Sequence, residues 1–207
     1  MQPKMPYRLL AILPLIPPLL LPGTGALLSF AIVIAAVAFL RDARRETLRF
    51  APQGWPATFA LGIGGGLVLA GVSHVADMLI MWVTGTPIDL SAFDPIIGNL
   101  GNYLVLLAVG IGVGGVLEEL TFRGFVVGFG QSVFGERSAV WLAVLSAVVF
   151  GMAHLYQGLS GVLSTGFVGL LLGLLYLYAK RSVLVAMLAH ATVNVVGITI
   201  IYLGMAG

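Results

Sequence analysis

Long stretches of apolar sequence constrain the fold of this chain more than any other feature. Residues 9–40 contain no charged side chain and residues 55–84 contain only one, while 59% of all residues are hydrophobic and 9% are charged. Soluble domains carry about 25% charged residues. In lipid only helices and closed barrels satisfy their backbone hydrogen bonds, and apolar runs of this length exclude a barrel. The sequence therefore predicts an all-α polytopic transmembrane helix bundle.

The spacing of the apolar runs predicts about six to eight spans, with seven as the central expectation. The expected spans lie near 9–21, 25–40, 55–84, from 102 onward, 138–157, 160–179 and 182–204. Pro22-Gly23 indicates a turn between the first two, and the alternative is a single kinked helix. If seven spans alternate sides, the basic residues at the N-terminus, at 41–49, at 137 and at 180–181 all fall on one side of the membrane. The positive-inside rule makes that side cytoplasmic and places the loop 85–101 outside.

The composition excludes several classes of function. A net charge of +2 indicates no nucleic-acid partner. The absence of cysteine excludes disulfides, cysteine-ligated zinc and a cysteine nucleophile. The sequence contains neither an HExxH motif nor a GxSxG motif, so two common kinds of hydrolytic site are excluded as well.

A small set of polar residues interrupts three of the apolar segments. Ionisable groups in hydrocarbon are costly, so they usually face a bundle interior or a wet cavity and mark function. The set consists of Glu118, Glu119, Arg123, His154, His190 and Asn194. We therefore expect these residues to assemble into one site.

The spacing within this set indicates separate roles. Glu119 and Arg123 are four residues apart, so they share a helix face and can pair, whereas Glu118 points about 100° away and is free to act as a base. His190 and Asn194 also share a face. Taken singly, these features are typical of a structural ion pair, a hydrogen-bonded histidine and an Asn–His clasp. Together they favour a hydrolytic centre with a base, a water-orienting imidazole and oxyanion donors.

A second polar pair lies in the expected third span. His74 and Asp77 are three residues apart. We interpret this pair as packing or cavity lining rather than as part of the catalytic site.

The three motifs resemble those of the CPBP intramembrane protease family, which is also called the Abi or type II CAAX prenyl endopeptidase-like family. They are EExxxR at 118–123, FxxxH at 150–154 and HxxxN at 190–194. The resemblance covers residues 102–204. It implies that 102–204 is the catalytic core. Length and composition predict a single membrane domain over 1–207, in which 1–101 supplies N-terminal spans.

The resemblance implies an intramembrane endopeptidase, a hydrolase that performs proteolysis within or near the membrane. By resemblance, Glu118 activates the catalytic water beside His154, Glu119 and Arg123 support that geometry, and His190 and Asn194 stabilise the oxyanion. The best-known relatives remove the last three residues of prenylated CaaX proteins, whereas bacterial relatives include immunity and peptide-processing proteins.

The sequence leaves the need for a metal open. Glu118, His154 and His190 would suit a zinc centre, or that of another divalent ion, with two histidines and a glutamate as ligands, and the family is often labelled a metalloprotease family. Against this, Arg123 lowers the affinity of the site for a cation. We favour water activated by glutamate, with no obligatory cofactor.

The expected partners are a membrane-associated peptide or protein substrate and the lipid bilayer. The expected location is the inner or plasma membrane of a bacterial cell. Two alternatives remain from the residues alone. One is a proton-coupled transporter, whose buried ionisable groups relay protons. The other is a non-catalytic immunity or scaffold protein that keeps the fold.

Overall fold

A computed structural model describes residues 5–21 and 24–205, and every regular element in these ranges is helical. The turn expected at Pro22-Gly23 lies outside the described residues. Two short 3₁₀ turns, Ser91–Ile96 and Glu136–Ser138, and a single helical turn, Pro17–Leu20, connect the main elements. The main helices are α1 (Met5–Leu15), α2 (Gly25–Phe39), α3 (Arg41–Thr47), α4 (Trp55–Thr84), α5 (Leu100–Phe134), α6 (Ala139–Met152), α7 (Leu155–Tyr178) and α8 (Val183–Tyr202).

These helices make the protein an integral membrane protein, but with fewer spans than the sequence predicted. Of the described residues, α4, α5, α7 and α8 are long and apolar enough to cross a membrane, and α2 with α3 adds a fifth if this pair, bent by 114°, is one span. The predicted count of six to eight is therefore too high.

Two of the predicted spans are shortened for local reasons. Proline interrupts the first apolar run, so that α1 ends at Leu15 before the turn Pro17–Leu20. Helix α6 has 14 residues, or about 21 Å at 1.5 Å per residue, against a hydrocarbon core of about 30 Å. The chain leaves this helix at Met152, well before the predicted end at 157.

Helix α5 is not an ordinary α-helix over most of its length. It is wound as a π-helix from Gly110 to Glu118 and again from Leu120 to Phe129. A π-helix bonds each amide to the carbonyl five residues back, and such segments occur frequently at functional sites. The angle of about 100° expected between Glu118 and Glu119 assumed regular α geometry and does not apply to this segment.

The main hydrophobic core is formed where α5 packs against α6, α7 and α8. Phe122 and Val126 of α5 pack with Phe150 of α6, Tyr176 of α7 and Val183 of α8. Helix α8 begins at a defined residue because Ser182 accepts a hydrogen bond from the amide of Val185 at 3.3 Å. The core therefore fixes where the inward face of each helix presents its polar residues.

Helices α6 and α7 approach each other through glycine. A Cβ built on Gly151 would lie 2.5 Å from the carbonyl oxygen of Val162 and 2.9 Å from the Cα of Gly166. Both neighbours are backbone atoms, so no side chain can rotate away. Only glycine permits this spacing.

We therefore expect Gly151→Ala to lower the free energy of unfolding by about 1–3 kcal/mol, the usual cost of overpacking. Gly71→Ala on α4 is the matched control, because a Cβ there meets nothing within 4 Å. Denaturant or thermal unfolding in detergent measures both variants. Equal stability of the two would contradict the close approach of α6 and α7.

Candidate active site

Three of the polar residues form one buried chain of hydrogen bonds. Arg123 donates from Nη1 to Oε1 of Glu119 at 2.7 Å, and the Nδ1 of His190 lies 2.8 Å from the same oxygen. Arg123 is 1% exposed, Glu119 is 0% exposed and His190 is 5% exposed. The charge of the carboxylate is thus balanced by the guanidinium within the protein interior.

These hydrogen bonds define the tautomer of His190. Because Nδ1 faces a carboxylate oxygen that already accepts from Arg123, Nδ1 carries a proton and donates it. In the neutral ring Nε2 is then an acceptor, and in the imidazolium it is a second donor. The other oxygen of Glu119, Oε2, is buried and has no hydrogen-bond partner among the described residues.

Arg123 also ties α5 to α7. Its Nη2 donates to the carbonyl oxygen of Gly169 at 2.6 Å, and its guanidinium lies 4.9 Å from the ring centroid of Phe150. A Cβ on Gly169 would come within 2.9 Å of the Phe150 ring and 3.4 Å of Nη2. The glycine therefore leaves room for the arginine to reach the backbone of α7.

Phe150 lies at the centre of the site, in contact with residues of α5 and α8, and this position was not predicted from the sequence. Its ring packs against Phe122, His154 and His190, with centroid distances of 5.3, 5.0 and 5.7 Å. Its carbonyl oxygen lies 2.9 Å from Nδ1 of His154. The spacing of four residues in FxxxH was the available signal, because it places the histidine one helical turn after the phenylalanine carbonyl.

His154 lies in the break between α6 and α7, not inside a span as the sequence predicted. It is half-buried, and its Nδ1 donates to the carbonyl of Phe150, so Nε2 keeps its lone pair in the neutral ring. Helix α7 begins with a 3₁₀ turn, Leu155–Gln157, and becomes α-helical at Gly158, whose φ of +74° is in the region that favours glycine. The imidazole therefore lies after the end of α6, where it packs between the rings of Phe150 and Tyr156.

The loop between α4 and α5 packs against this break. The amide of Asp89 donates to the carbonyl of Gln157 at 3.0 Å, and Phe93 lies 6.4 Å from Tyr156 between ring centroids. Hydrogen bonds from the hydroxyl and amide of Ser91 lower the pKa of the Asp89 carboxyl. The loop that the sequence placed outside the membrane thus supports the turn that carries His154.

Asn194 reaches the site from α8 and contacts the π-helical part of α5. Its Nδ2 donates to the carbonyl oxygen of Gly110 at 2.8 Å. A Cβ on Gly114 would lie 2.5 Å from this nitrogen and 3.7 Å from Nε2 of His190. Asn194 and His190 therefore face the same stretch of backbone, as their spacing predicted.

Glu118 is half-buried beside this network. In the part of the chain that the structure describes, its carboxylate has no hydrogen-bond or ion-pair partner. The structure does not bring Glu118 into direct contact with either histidine. Its role as a base stays a prediction, and its free oxygens are compatible with that role.

The pair His74 and Asp77 lies apart from this network. Asp77 accepts a hydrogen bond of 2.5 Å from the hydroxyl of Ser164, which links α4 to α7, and His74 is exposed. This contact supports the interpretation of Asp77 as a packing residue.

The residues proposed as metal ligands do not form a ligand cluster. Within residues 5–21 and 24–205, no three histidine, cysteine, aspartate or glutamate side chains lie close enough together to hold a metal ion. Nδ1 of His154 and Nδ1 of His190 are both engaged with protein oxygens, so each ring could offer a metal only its Nε2. The set of Glu118, His154 and His190 therefore does not fit a zinc centre in this arrangement.

The comparison with protein families agrees with the position of the site. Residues 100–196 match the family described as type II CAAX prenyl endopeptidase Rce1-like. The match begins at the first residue of α5 and ends two residues after Asn194, so it includes the whole polar network. This part of the chain is similar to that family, which confirms the resemblance seen in the motifs. Neither the curated proteins nor the solved structures that were compared contain a match to the chain.

Proposed function

We propose that the protein is an intramembrane endopeptidase that cleaves a peptide bond in a membrane-associated peptide or protein by means of an activated water. The observation that carries the proposal is that two adjacent carboxylates have different surroundings. Glu119 is buried and engaged by Arg123 and His190, whereas Glu118 is half-buried and unengaged. A purely structural ion pair needs only the buried carboxylate of Glu119, whereas a hydrolase also needs a free base.

In this mechanism Glu118 and His154 act on the water. Glu118 accepts a proton from the water as its oxygen attacks the carbonyl carbon of the scissile bond. His154, held by its Nδ1 bond to the backbone of Phe150, presents Nε2 to orient that water. The tetrahedral intermediate then collapses, the C–N bond breaks and the proton held by Glu118 passes to the leaving amine.

His190 and Asn194 stabilise the oxyanion. Asn194 has one Nδ2 proton engaged with Gly110, so its second proton is the donor. Because Nδ1 already carries a proton towards Glu119, His190 supplies a donor at Nε2 only when the ring carries a second proton. In this view the buried carboxylate supports catalysis through the charge and orientation of His190.

We assign no step of this mechanism to a metal, and the absence of a ligand cluster among the described residues supports that choice. The decisive experiment incubates purified protein in liposomes with membrane-anchored peptides and identifies products by mass spectrometry, with and without a chelator. Defined cleavage that survives chelation supports the whole proposal. Cleavage abolished by the chelator and restored by zinc would overturn the metal-free mechanism and leave the peptidase activity standing.

We expect Asn194→Ala to retain residual turnover. Loss of one oxyanion donor costs on the order of 10²–10³-fold in kcat, while Glu118, His154 and His190 remain in place. Thr192→Ala is a suitable control on the same helix, because its hydroxyl donates to the carbonyl of Leu188 within α8. Steady-state kinetics would contradict the assignment if Asn194→Ala and Thr192→Ala were equally active.

We further propose that the protein resides in the inner or plasma membrane of a bacterial cell. The long apolar helices support a membrane location. Fractionation of the source cells tests the particular membrane. Whether the substrate is prenylated is tested by comparing cleavage of the same peptide with and without an isoprenoid on its cysteine.

A further inference from the structure

Gly114 lies at the point where α5 faces both proposed oxyanion donors. It is buried in the π-helical segment Gly110–Glu118. A Cβ on this residue would lie 2.5 Å from Nδ2 of Asn194, which no real Cβ tolerates, and 3.7 Å from Cε1 and Nε2 of His190. The side chain of Asn194 thus occupies the space that any side chain at position 114 would take.

The same contact determines what Asn194 can reach. Its Nδ2 lies 2.8 Å from the carbonyl oxygen of Gly110, four residues before Gly114 on α5. A methyl group at 114 would push the amide away from the helix and break this hydrogen bond. Nδ2 of Asn194 and Nε2 of His190 both lie within 4 Å of the missing Cβ, so the two proposed donors lie beside the same point of α5.

The neighbouring glycines separate this effect from ordinary helix packing. A Cβ on Gly112 meets nothing within 4 Å. A Cβ on Gly115 would meet the side chain of Ala191 at 3.0 Å and the carbonyl of Met187 at 3.4 Å, and none of its three nearest atoms belongs to a polar side chain. Gly114 alone of these three is in contact with the donor pair.

We propose that Gly114 is a positioning residue for peptide hydrolysis. Its missing side chain lets Asn194 lie against the backbone of α5, where the amide is held by Gly110 and forms a donor pair with His190. This inference rests on the proposed peptidase function and adds a residue to it. The pair serves a substrate carbonyl oxygen that becomes negatively charged in the tetrahedral intermediate.

The test compares Gly114→Ala with Gly112→Ala and Gly115→Ala. Each change adds one methyl group to the same helical segment, so helix propensity changes equally. We expect Gly114→Ala to lower kcat by about 10²–10³-fold with KM nearly unchanged, because an oxyanion donor acts mainly in the transition state. Gly112→Ala should keep normal turnover, and Gly115→Ala should affect thermal stability more than kcat.

A double variant keeps the test decisive if Gly114→Ala alone folds poorly. Asn194→Ala removes the atom that the new methyl would meet, so Asn194→Ala/Gly114→Ala should fold. If Gly114 acts through Asn194, the second change should lower kcat less than threefold below Asn194→Ala alone. A merely structural glycine would instead give losses that multiply.

The possible outcomes separate this inference from the proposed function. Wild-type cleavage with equal turnover of Gly114→Ala and Gly112→Ala would overturn the role of Gly114 and leave the peptidase assignment intact. Multiplicative losses in the double variant would overturn it too. If wild-type protein cleaves no membrane-anchored peptide, the proposed function and this inference fall together.

Discussion

Glu118→Gln is expected to reduce peptide cleavage by about 10²–10⁴-fold, the contribution typical of a general base, while the protein remains folded. Glutamine is nearly isosteric with glutamate but cannot take a proton from water. Because the carboxylate of Glu118 has no hydrogen-bond or ion-pair partner among the described residues, the change breaks no structural contact. Turnover of a confirmed substrate and thermal unfolding in detergent measure the two effects separately.

The matched control for this change is Glu136→Gln. Glu136 is exposed in the turn between α5 and α6, so it undergoes the same chemical change at a distance from the polar network. Its turnover should equal that of the wild type. Unchanged turnover in Glu118→Gln would refute the assigned base. If Glu118→Gln abolished proton-coupled transport in liposomes and no peptide was ever cleaved, the transporter interpretation would replace the peptidase.

Arg123→Ala is expected to damage both folding and activity, with about 3–5 kcal/mol lost from the free energy of unfolding. Removing the guanidinium leaves the carboxylate of Glu119 buried with His190 as its one remaining partner, and an uncompensated buried charge carries this cost. It also removes the hydrogen bond from α5 to Gly169 of α7. Unfolding in detergent or urea measures the loss.

Two variants show whether burial of the charge is the cause. Arg45→Ala removes an arginine that is 74% exposed from its ion pair with Glu46, and it should change stability by less than about 1 kcal/mol. Glu119→Leu/Arg123→Met removes both buried charges, so it should be more stable than Arg123→Ala yet inactive, because His190 loses its partner. A double variant less stable than Arg123→Ala would contradict this explanation.

Local spacing explains which parts of the site were predictable. Glu119 and Arg123 are four residues apart, and the structure pairs them as expected. His190 and Asn194 have the same spacing and both face α5. These relations depend on the geometry of one helix turn, so they can be inferred without knowing how the helices pack. The family match over residues 100–196 includes all three of these motifs.

The contacts between helices were not predictable in the same way. The hydrogen bond between His190 and Glu119 joins residues 71 positions apart, and the central place of Phe150 depends on three helices meeting around its ring. The sequence did not indicate that Oε1 of Glu119 would serve both Arg123 and His190. Such choices depend on side-chain packing across the whole bundle, because many arrangements satisfy the same local spacing.

The sequence by itself determined that the chain is a membrane-spanning helix bundle with its polar residues gathered inward, because lipid leaves apolar helices and buried ionisable groups no other arrangement. Only the tertiary structure decided the number of spans, the π-helical winding of α5 and the break that releases His154. These features depend on how closely the helices can approach, as at Gly151 and Gly114, where the absence of a single methyl group sets the distance. Hydrophobicity is summed along a segment, whereas close packing is decided atom by atom between segments.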